Sequence, residues 1–269
     1  MRWIILGPLL LITAIGLYAV TFGEPDGGEH PYVGTLIFET ADGFFSCSGT
    51  MISSSVMLTA GHCTESAGVV NPNTWVKLAE EISFADALPG ETTFPLYLSN
   101  PDHGWTHGTA VPHPDFDDYA QFPLTYDVGV IVLDENIFLG VYGALPSIGS
   151  LNTVGGRGGN RDNLFTVVGY GMQGLIPAFE SDIYARYQGT LRLIELNSAF
   201  DGGQSAKFTN NPGRGGGSCL GDSGGPILSG NTNVVAAIVS FGITPCIGTD
   251  YNFRMDTEIA QDFVNQFIP

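Results

Sequence analysis

Gly221-Asp222-Ser223-Gly224-Gly225-Pro226 sets a serine in a glycine-rich turn ahead of the apolar pair Ile227-Leu228. Ser223 is the candidate nucleophile. Glycines on both sides let the chain turn tightly and leave main-chain N–H groups open to a substrate, so the same turn can supply an oxyanion hole. A bare serine is a poor nucleophile near neutral pH and needs a histidine to take its proton and a carboxylate to orient that histidine. The turn also fits a G-x-S-x-G elbow, in which the histidine follows the serine. All five histidines, His30, His62, His103, His107 and His113, precede Ser223. That excludes the elbow and leaves the order histidine before serine.

His62 lies in Leu58-Thr59-Ala60-Gly61-His62-Cys63, at the end of an apolar run and beside a cysteine. Taken alone, a histidine there is more often structural. Asp127 opens Asp127-Val128-Gly129-Val130-Ile131-Val132-Leu133, a strand apolar on both faces. An aspartate at the mouth of a buried strand needs a partner, because an unpaired buried carboxylate is costly. The remaining histidines carry less chemistry. His113 reads as a turn residue, and His103 with His107 would hold a metal only if a third ligand came near.

The elements that must position these residues read as short strands. Val33–Phe38, Thr50–Ile52, Val56–Thr59, Val128–Leu133, Phe165–Val168, Leu191–Leu196 and Val234–Ser240 are β-branched or aromatic runs cut by Gly, Pro, Asn and Asp. Near the C-terminus Asp256 is expected to cap a helix with Ile259, Phe263, Val264 and Phe267 on one face. An all-β fold closed by one terminal helix follows. The glycine clusters Gly155–Gly159 and Gly213–Gly217 lack the Lys-Ser/Thr of a phosphate-binding loop and read as flexible loops.

Met1 to Ala19 holds one charge, Arg2, an apolar run from Trp3 to Leu17 and a small residue at its end. This is the pattern of a secretory signal peptide. The rival is an uncleaved anchor, disfavoured because Gly7-Pro8 interrupts the run and no basic cluster flanks it. Residues 20–269 then form one large domain, or two packed halves, outside the cell. With 9 Lys plus Arg against 27 Asp plus Glu, the formal net charge is −18, which argues against nucleic-acid binding. Four cysteines behind such a leader suggest two disulfides in any of three pairings. The local choice is Cys47 with Cys63 and Cys219 with Cys246, each closing a loop beside a candidate catalytic residue and contributing about 3 kcal/mol. With no C-x-x-C pair, a zinc site is not expected, and no cofactor is called for.

The motifs Thr59-Ala60-Gly61-His62-Cys63, Asp127-Val128-Gly129-Val130 and Gly221-Asp222-Ser223-Gly224-Gly225-Pro226, in this order and with Cys219 four residues before the serine, resemble the chymotrypsin/trypsin-like serine proteases. The likeness runs from about Val20 to the terminal helix, although residues 64–126 and 134–164 are too free to match. It implies two six-stranded antiparallel β-barrels packed against each other, a C-terminal α-helix, and an active site in the cleft between the barrels. It supports both local disulfide pairings. It also implies that Ser223 attacks a carbonyl, His62 shuttles the proton, Asp127 holds the imidazole tautomer, and the N–H groups of Gly221 and Ser223 bind the oxyanion. Ser240 matches the serine that supports the aspartate, and Ser240, Phe241 and Gly242 match the strand that pairs with substrate backbone.

Two further expectations rest on the same likeness. Val20-Thr21-Phe22-Gly23 resembles the family's mature start, whose ammonium would pair with Asp222. The floor of the primary specificity pocket falls on Gly217, followed by Ser218, with Gly242 leaving one wall open. A neutral floor suits apolar residues. If Asp250 faces inward it restores a preference for basic residues, and if Tyr251 does it favours small ones. The expected function is a secreted, monomeric serine endopeptidase acting on polypeptides through an acyl-enzyme. Protein protease inhibitors are possible partners. A catalytically silent binding module or an esterase is the alternative.

Overall fold

The computed structural model describes residues 20–66, 68–154, 164–173, 184–196, 202–211, 215–242 and 246–269. The expected signal peptide, residues 1–19, and the glycine cluster 155–159 lie outside the described residues.

Six strands form the first barrel: β1 Val33–Thr40, β2 Gly43–Met51, β3 Val56–Thr59, β4 Thr74–Lys77, β5 Thr106–Pro112 and β6 Gly129–Leu133. Every pairing is antiparallel, and the ring runs β6-β3-β2-β1-β4-β5 and closes on β6. The β-branched run Val130-Ile131 is fully buried in the wall of the barrel, hydrogen-bonded between β3 and β5 and part of the apolar core. β2 is longer than the expected Thr50–Ile52. It begins at Gly43, and Phe44 and Phe45 pair with Glu39 and Phe38 of β1 across a hairpin that turns at Ala41-Asp42.

The second barrel comprises β7 Leu164–Gly169, β8 Tyr187–Glu195, β9 Ser205–Asn210, β10 Pro226–Ser229, β11 Val235–Gly242 and β12 Gly248–Arg254. Its ring runs β8-β7-β10-β11-β12-β9 and closes through β8 and β9, with the short strand Glu24–Pro25 added outside β8. Closure leaves few open edges to template aggregation. The chain is therefore two closed antiparallel barrels, as expected. Val168, Leu228, Val235 and Ile238 of the second barrel join Leu36, Met51, Leu58 and Val128 of the first in one continuous apolar cluster. The seam between barrels is thus a packed core, and it holds the groups it carries at fixed separation.

Helix α1, Glu258–Val264, covers that cluster with Ala260, Phe263 and Val264. Its cap differs from expectation. Thr257, one residue later than Asp256, accepts the Ala260 N–H at 3.2 Å. Asp256 is instead buried, accepting the Leu151 N–H at 2.8 Å and pairing with Arg254 at 2.9 Å. Ala260 rather than Ile259 shares the buried face with Phe263 and Val264, and Ile259 is exposed. Both local disulfide pairings are present, Cys47–Cys63 and Cys219–Cys246. A buried cluster ties the N-terminal segment to both barrels: Asp26 pairs with His30 and, at 2.8 Å, with Arg186, whose guanidinium also donates to the carbonyls of Val33 and Leu78.

Candidate active site

β3 ends at Thr59, and one turn of 3-10 helix, Gly61–Cys63, lifts His62 out of the barrel wall. Two links set that turn: the Cys63 bridge to β2, and the Thr59 hydroxyl on the Ser48 carbonyl at 2.9 Å. The His62 ring is 23 % exposed and faces the cleft, while Asp127 at its back is fully buried. Asp127 accepts the His62 backbone N–H at 2.9 Å, His62 Nδ1 stands 3.1 and 3.0 Å from its two oxygens, and the Ser240 hydroxyl donates to Oδ2. The second barrel fixes the approach to this carboxylate. Gln204 Oε1 accepts the N–H groups of Thr125 and Tyr126 at 2.7 and 3.0 Å, and Ser240 stands on β11.

Burial disfavours the charged form of both partners, and each favours the charged form of the other. Asp127 lies below the usual carboxylate range because the His62 charge and the hydrogen bonds from His62 and Ser240 outweigh its desolvation. His62 is pushed above its ordinary 6.5, since Asp127 outweighs the burial that disfavours the imidazolium. Any reaction that uses neutral His62 as base therefore falls off as pH drops, with a midpoint above 6.5. A kcat/KM profile between about pH 5 and 9 reads that midpoint, and a value well below 6.5 would contradict the pairing.

Ser223 lies across the cleft on a loop that the first barrel grips. Ser48 on β2 donates its N–H to the Ser223 carbonyl at 2.8 Å and its hydroxyl to the Gly221 carbonyl at 2.9 Å. The loop fits only as glycine at two points. Gly221 has φ 96° and Gly224 φ 76°, and a Cβ on Gly224 would meet Thr59 Oγ1 at 2.0 Å. The carbonyl of Leu220 accepts Met172 N–H at 2.7 Å and that of Asp222 accepts Gly225 N–H at 2.8 Å. In a trans peptide the N–H points opposite its carbonyl, so the N–H groups of Gly221 and Ser223 turn away from these partners. Among the described residues neither has an acceptor, whereas those of Asp222, Gly224 and Gly225 do. His62, Gly221 and Ser223 line one cleft of about 1070 Å³ together with Phe44, Phe45 and Val70. No hydrogen bond joins Ser223 Oγ to His62 among the described residues.

Gly217, the expected floor of the specificity pocket, lies against Asn210. Asp250 turns inward and is buried, accepting the Ser218 hydroxyl at 2.7 Å, the Ser218 N–H at 3.1 Å and Asn210 Nδ2 at 2.9 Å. Tyr251 takes the alternate face, stacked on Phe241 at 5.1 Å and under Lys207, so it does not shorten the pocket. A side chain at 217 would strike Asn210 Oδ1 at 2.0 Å, and Asn210 fills the space that a larger residue at 217 would need. Gly242 is required for a similar reason, since its Cβ would stand 2.6 Å from Asp250 Oδ1.

Val20 is buried in the second barrel core. Thr21 bridges to Gly217 through the backbone, and its hydroxyl reaches Asn210 Oδ1 at 3.0 Å. Asp222 is buried and accepts Gly171 N–H at 2.8 Å and Cys219 N–H at 2.9 Å. No bond joins Val20 to Asp222 among the described residues, because a chain that continues ahead of Val20 offers no ammonium there. Residues 213 and 214 of the second glycine cluster lie outside the described residues. Gly215 to Gly217 form a bridge region rather than a free loop, Gly216 pairing with Asn211 and Gly217 with Thr21.

The other histidines are engaged elsewhere. His103 lies between Glu91 and Asp86, His107 contacts Asp134 at 2.7 Å, and His113 stacks on Tyr126 and Phe263. The grouping of Cys47, Cys63 and His62 is not a ligand set, because both sulfurs are in the disulfide. Ser48, Gln204, Asn210 and Tyr119, whose hydroxyl donates to Asp127 Oδ2 at 2.9 Å, were not legible from motifs. Each acts through contacts across more than one strand or through an irregular loop.

The Trypsin family model matches residues 20–264. A chymotrypsin of Phaedon cochleariae is 27% identical over 220 residues, covering 81% of this chain and 71% of that protein. Among solved structures, HL collagenase superposes with a TM-score of 0.66 at 19% identity over 94% of this chain and 96% of that one. GrC does so with a TM-score of 0.59 at 16% identity over 91% and 97%. At these identities the structural likenesses speak for the fold alone.

Proposed function

The chain belongs to the trypsin family, and from that premise we propose that it is a secreted serine endopeptidase working through Ser223, His62 and Asp127. One observation carries the reading: a buried carboxylate holds the Nδ1 side of an imidazole whose ring faces a cleft shared with a serine and with two main-chain N–H groups lacking acceptors. His62 takes the Ser223 proton as Oγ attacks the carbonyl and returns it to the leaving amine. The N–H groups of Gly221 and Ser223 stabilise the oxyanion, and water then hydrolyses the acyl-enzyme by the same relay. Secretion accords with the two disulfides. A casein digest with and without a serine-directed phosphonate or sulfonyl fluoride tests the reading. Inhibitable release of peptides supports it, cleavage of esters alone would make the protein an esterase, and no turnover of either would leave a binding module.

The pocket geometry supports Arg or Lys before the scissile bond. Asp250 is a buried carboxylate with no cation beside it among the described residues, and burial pushes its pKa up. A guanidinium or ammonium entering past Gly217 and Ser218 would supply the missing charge. Asp250→Asn keeps the shape and removes that charge. It is expected to lower kcat/KM for an Arg substrate by about 10²-fold, the order of one buried ion pair, while changing Leu or Phe substrates little. Peptides ending in Arg, Lys, Leu, Phe and Ala at that position read the outcome. A wild-type preference for Leu or Phe would restore the apolar pocket.

A further inference from the structure

The catalytic carboxylate has a partner beyond histidine and Ser240. Tyr119, eight residues before Asp127 in the loop between β5 and β6, places its hydroxyl 2.9 Å from Asp127 Oδ2 and 3.1 Å from His62 Nδ1. The phenol can only donate to the carboxylate, where it shares Oδ2 with His62 Nδ1. Its ring is held edge-on by Phe241 at 5.9 Å and Phe116 at 6.0 Å. The backbone is forced to put it there: Asp118 and Tyr119 are consecutive non-glycine residues at φ 55° and 64°. Left-handed residues of this kind are costly and persist where surrounding contacts impose them.

We propose that Tyr119 is a positioning residue that shares the charge of Asp127 and so sets the basicity of His62. The proposal rests on the reading of His62 as the general base. With the phenol donating into Oδ2, less of the carboxylate charge is available to the imidazolium, and Oδ2 has a third polar neighbour beside Ser240 and His62. The groups facing His62 are Asp127 and Tyr119 behind it and Asp118 at the loop, and Glu65 in turn feels Asp118 and Asp117. Of these, Tyr119 alone touches both members of the pair and adds no charge.

Removing the hydroxyl should therefore raise the His62 pKa, and strengthening it should lower it. The ring of His62 is titrated by NMR in the chain beginning at Val20, in a Ser223→Ala background, so that the result stands whether or not the protein cleaves peptides. Tyr119→Phe is expected to move the midpoint up by about half to one pH unit. Replacing Tyr119 by 3-fluorotyrosine, a more acidic donor of nearly the same shape, is expected to move it down. With Ser223 present, Tyr119→Phe should shift the acid limb of kcat/KM the same way and lower kcat about tenfold with KM little changed. Midpoints unmoved by either replacement, or moved in the same direction by both, would overturn the proposal. So would an effect confined to KM, which would make Tyr119 a wall of the substrate groove.

Discussion

Ser223→Ala and His62→Ala are each expected to lower kcat on a peptide substrate by about 10⁶ while the protein still folds, because either change disables the same proton-coupled attack. The double variant should be no worse than either single one, since a relay broken once is not broken further. Asp127→Asn is expected to cost about 10⁴. The amide keeps the shape but offers an N–H where His62 Nδ1, 3.0 Å from Oδ2, needs an acceptor, and the imidazole is driven to the wrong tautomer. Folding should survive Ser223→Ala best, because the grip on the loop is made by main-chain atoms: Ser48 holds the carbonyls of 221 and 223, not the hydroxyl. Single-turnover and steady-state assays on purified variants, with melting curves as the check on folding, read the outcome. Near-normal turnover by Ser223→Ala would eliminate the mechanism.

The residues of that relay were visible in the sequence because each sits in a local pattern: a serine among glycines, a histidine against a cysteine, an aspartate opening an apolar strand. Strands with clean β-branched runs, Val56–Thr59 above all, could be bounded nearly to the residue. What was not legible depends on partners far along the chain. β2 extends beyond its β-branched run into Phe44-Phe45-Ser46-Cys47-Ser48-Gly49, which has no alternation and which only pairing with β1 makes a strand. Ser48 acts on a loop 173 residues away. Asn210 matters because Gly217 gives it room, and Tyr119 because strained backbone in the loop between β5 and β6 turns it onto Asp127. The choice between Asp250 and Tyr251 required the register of β12 on β11, Gly242 opposite Asp250 and Phe241 opposite Tyr251. At the cap, Thr257 and Asp256 are equally good residues, and the Arg254 pair decides between them.

A chain that begins at Val20 is expected to be about 10²- to 10³-fold more active than one that retains residues ahead of it, the range for loss of an oxyanion-hole donor. In the uncut chain Val20 is a β-branched residue at φ 54°, a strained state for that side chain. Cutting the bond before Val20 abolishes this torsion and creates an ammonium on a segment already moored by Thr21 to Gly217 and Asn210. Asp222, one residue before the nucleophile, is the carboxylate that such an ammonium would serve. Its burial, and then the nearby charge of Asp250, push its pKa up to about 7 against two backbone N–H bonds. The sign follows. A carboxyl whose folded pKa exceeds its unfolded value makes the fold lose stability as pH rises from about 4 to about 7, on the order of 4 kcal/mol for a gap of about three units. Once the ammonium is present the charged form is stabilised, the folded pKa falls, and that loss disappears. The two forms should therefore diverge in Tm between pH 5 and 8, the uncut chain falling and the chain beginning at Val20 holding. N-terminal sequencing of active protein, melting curves of both forms across that range, and kcat/KM for each decide it. A mature start well beyond Val20, full activity with residues ahead of Val20, or parallel melting profiles would show that Asp222 answers to something other than this terminus.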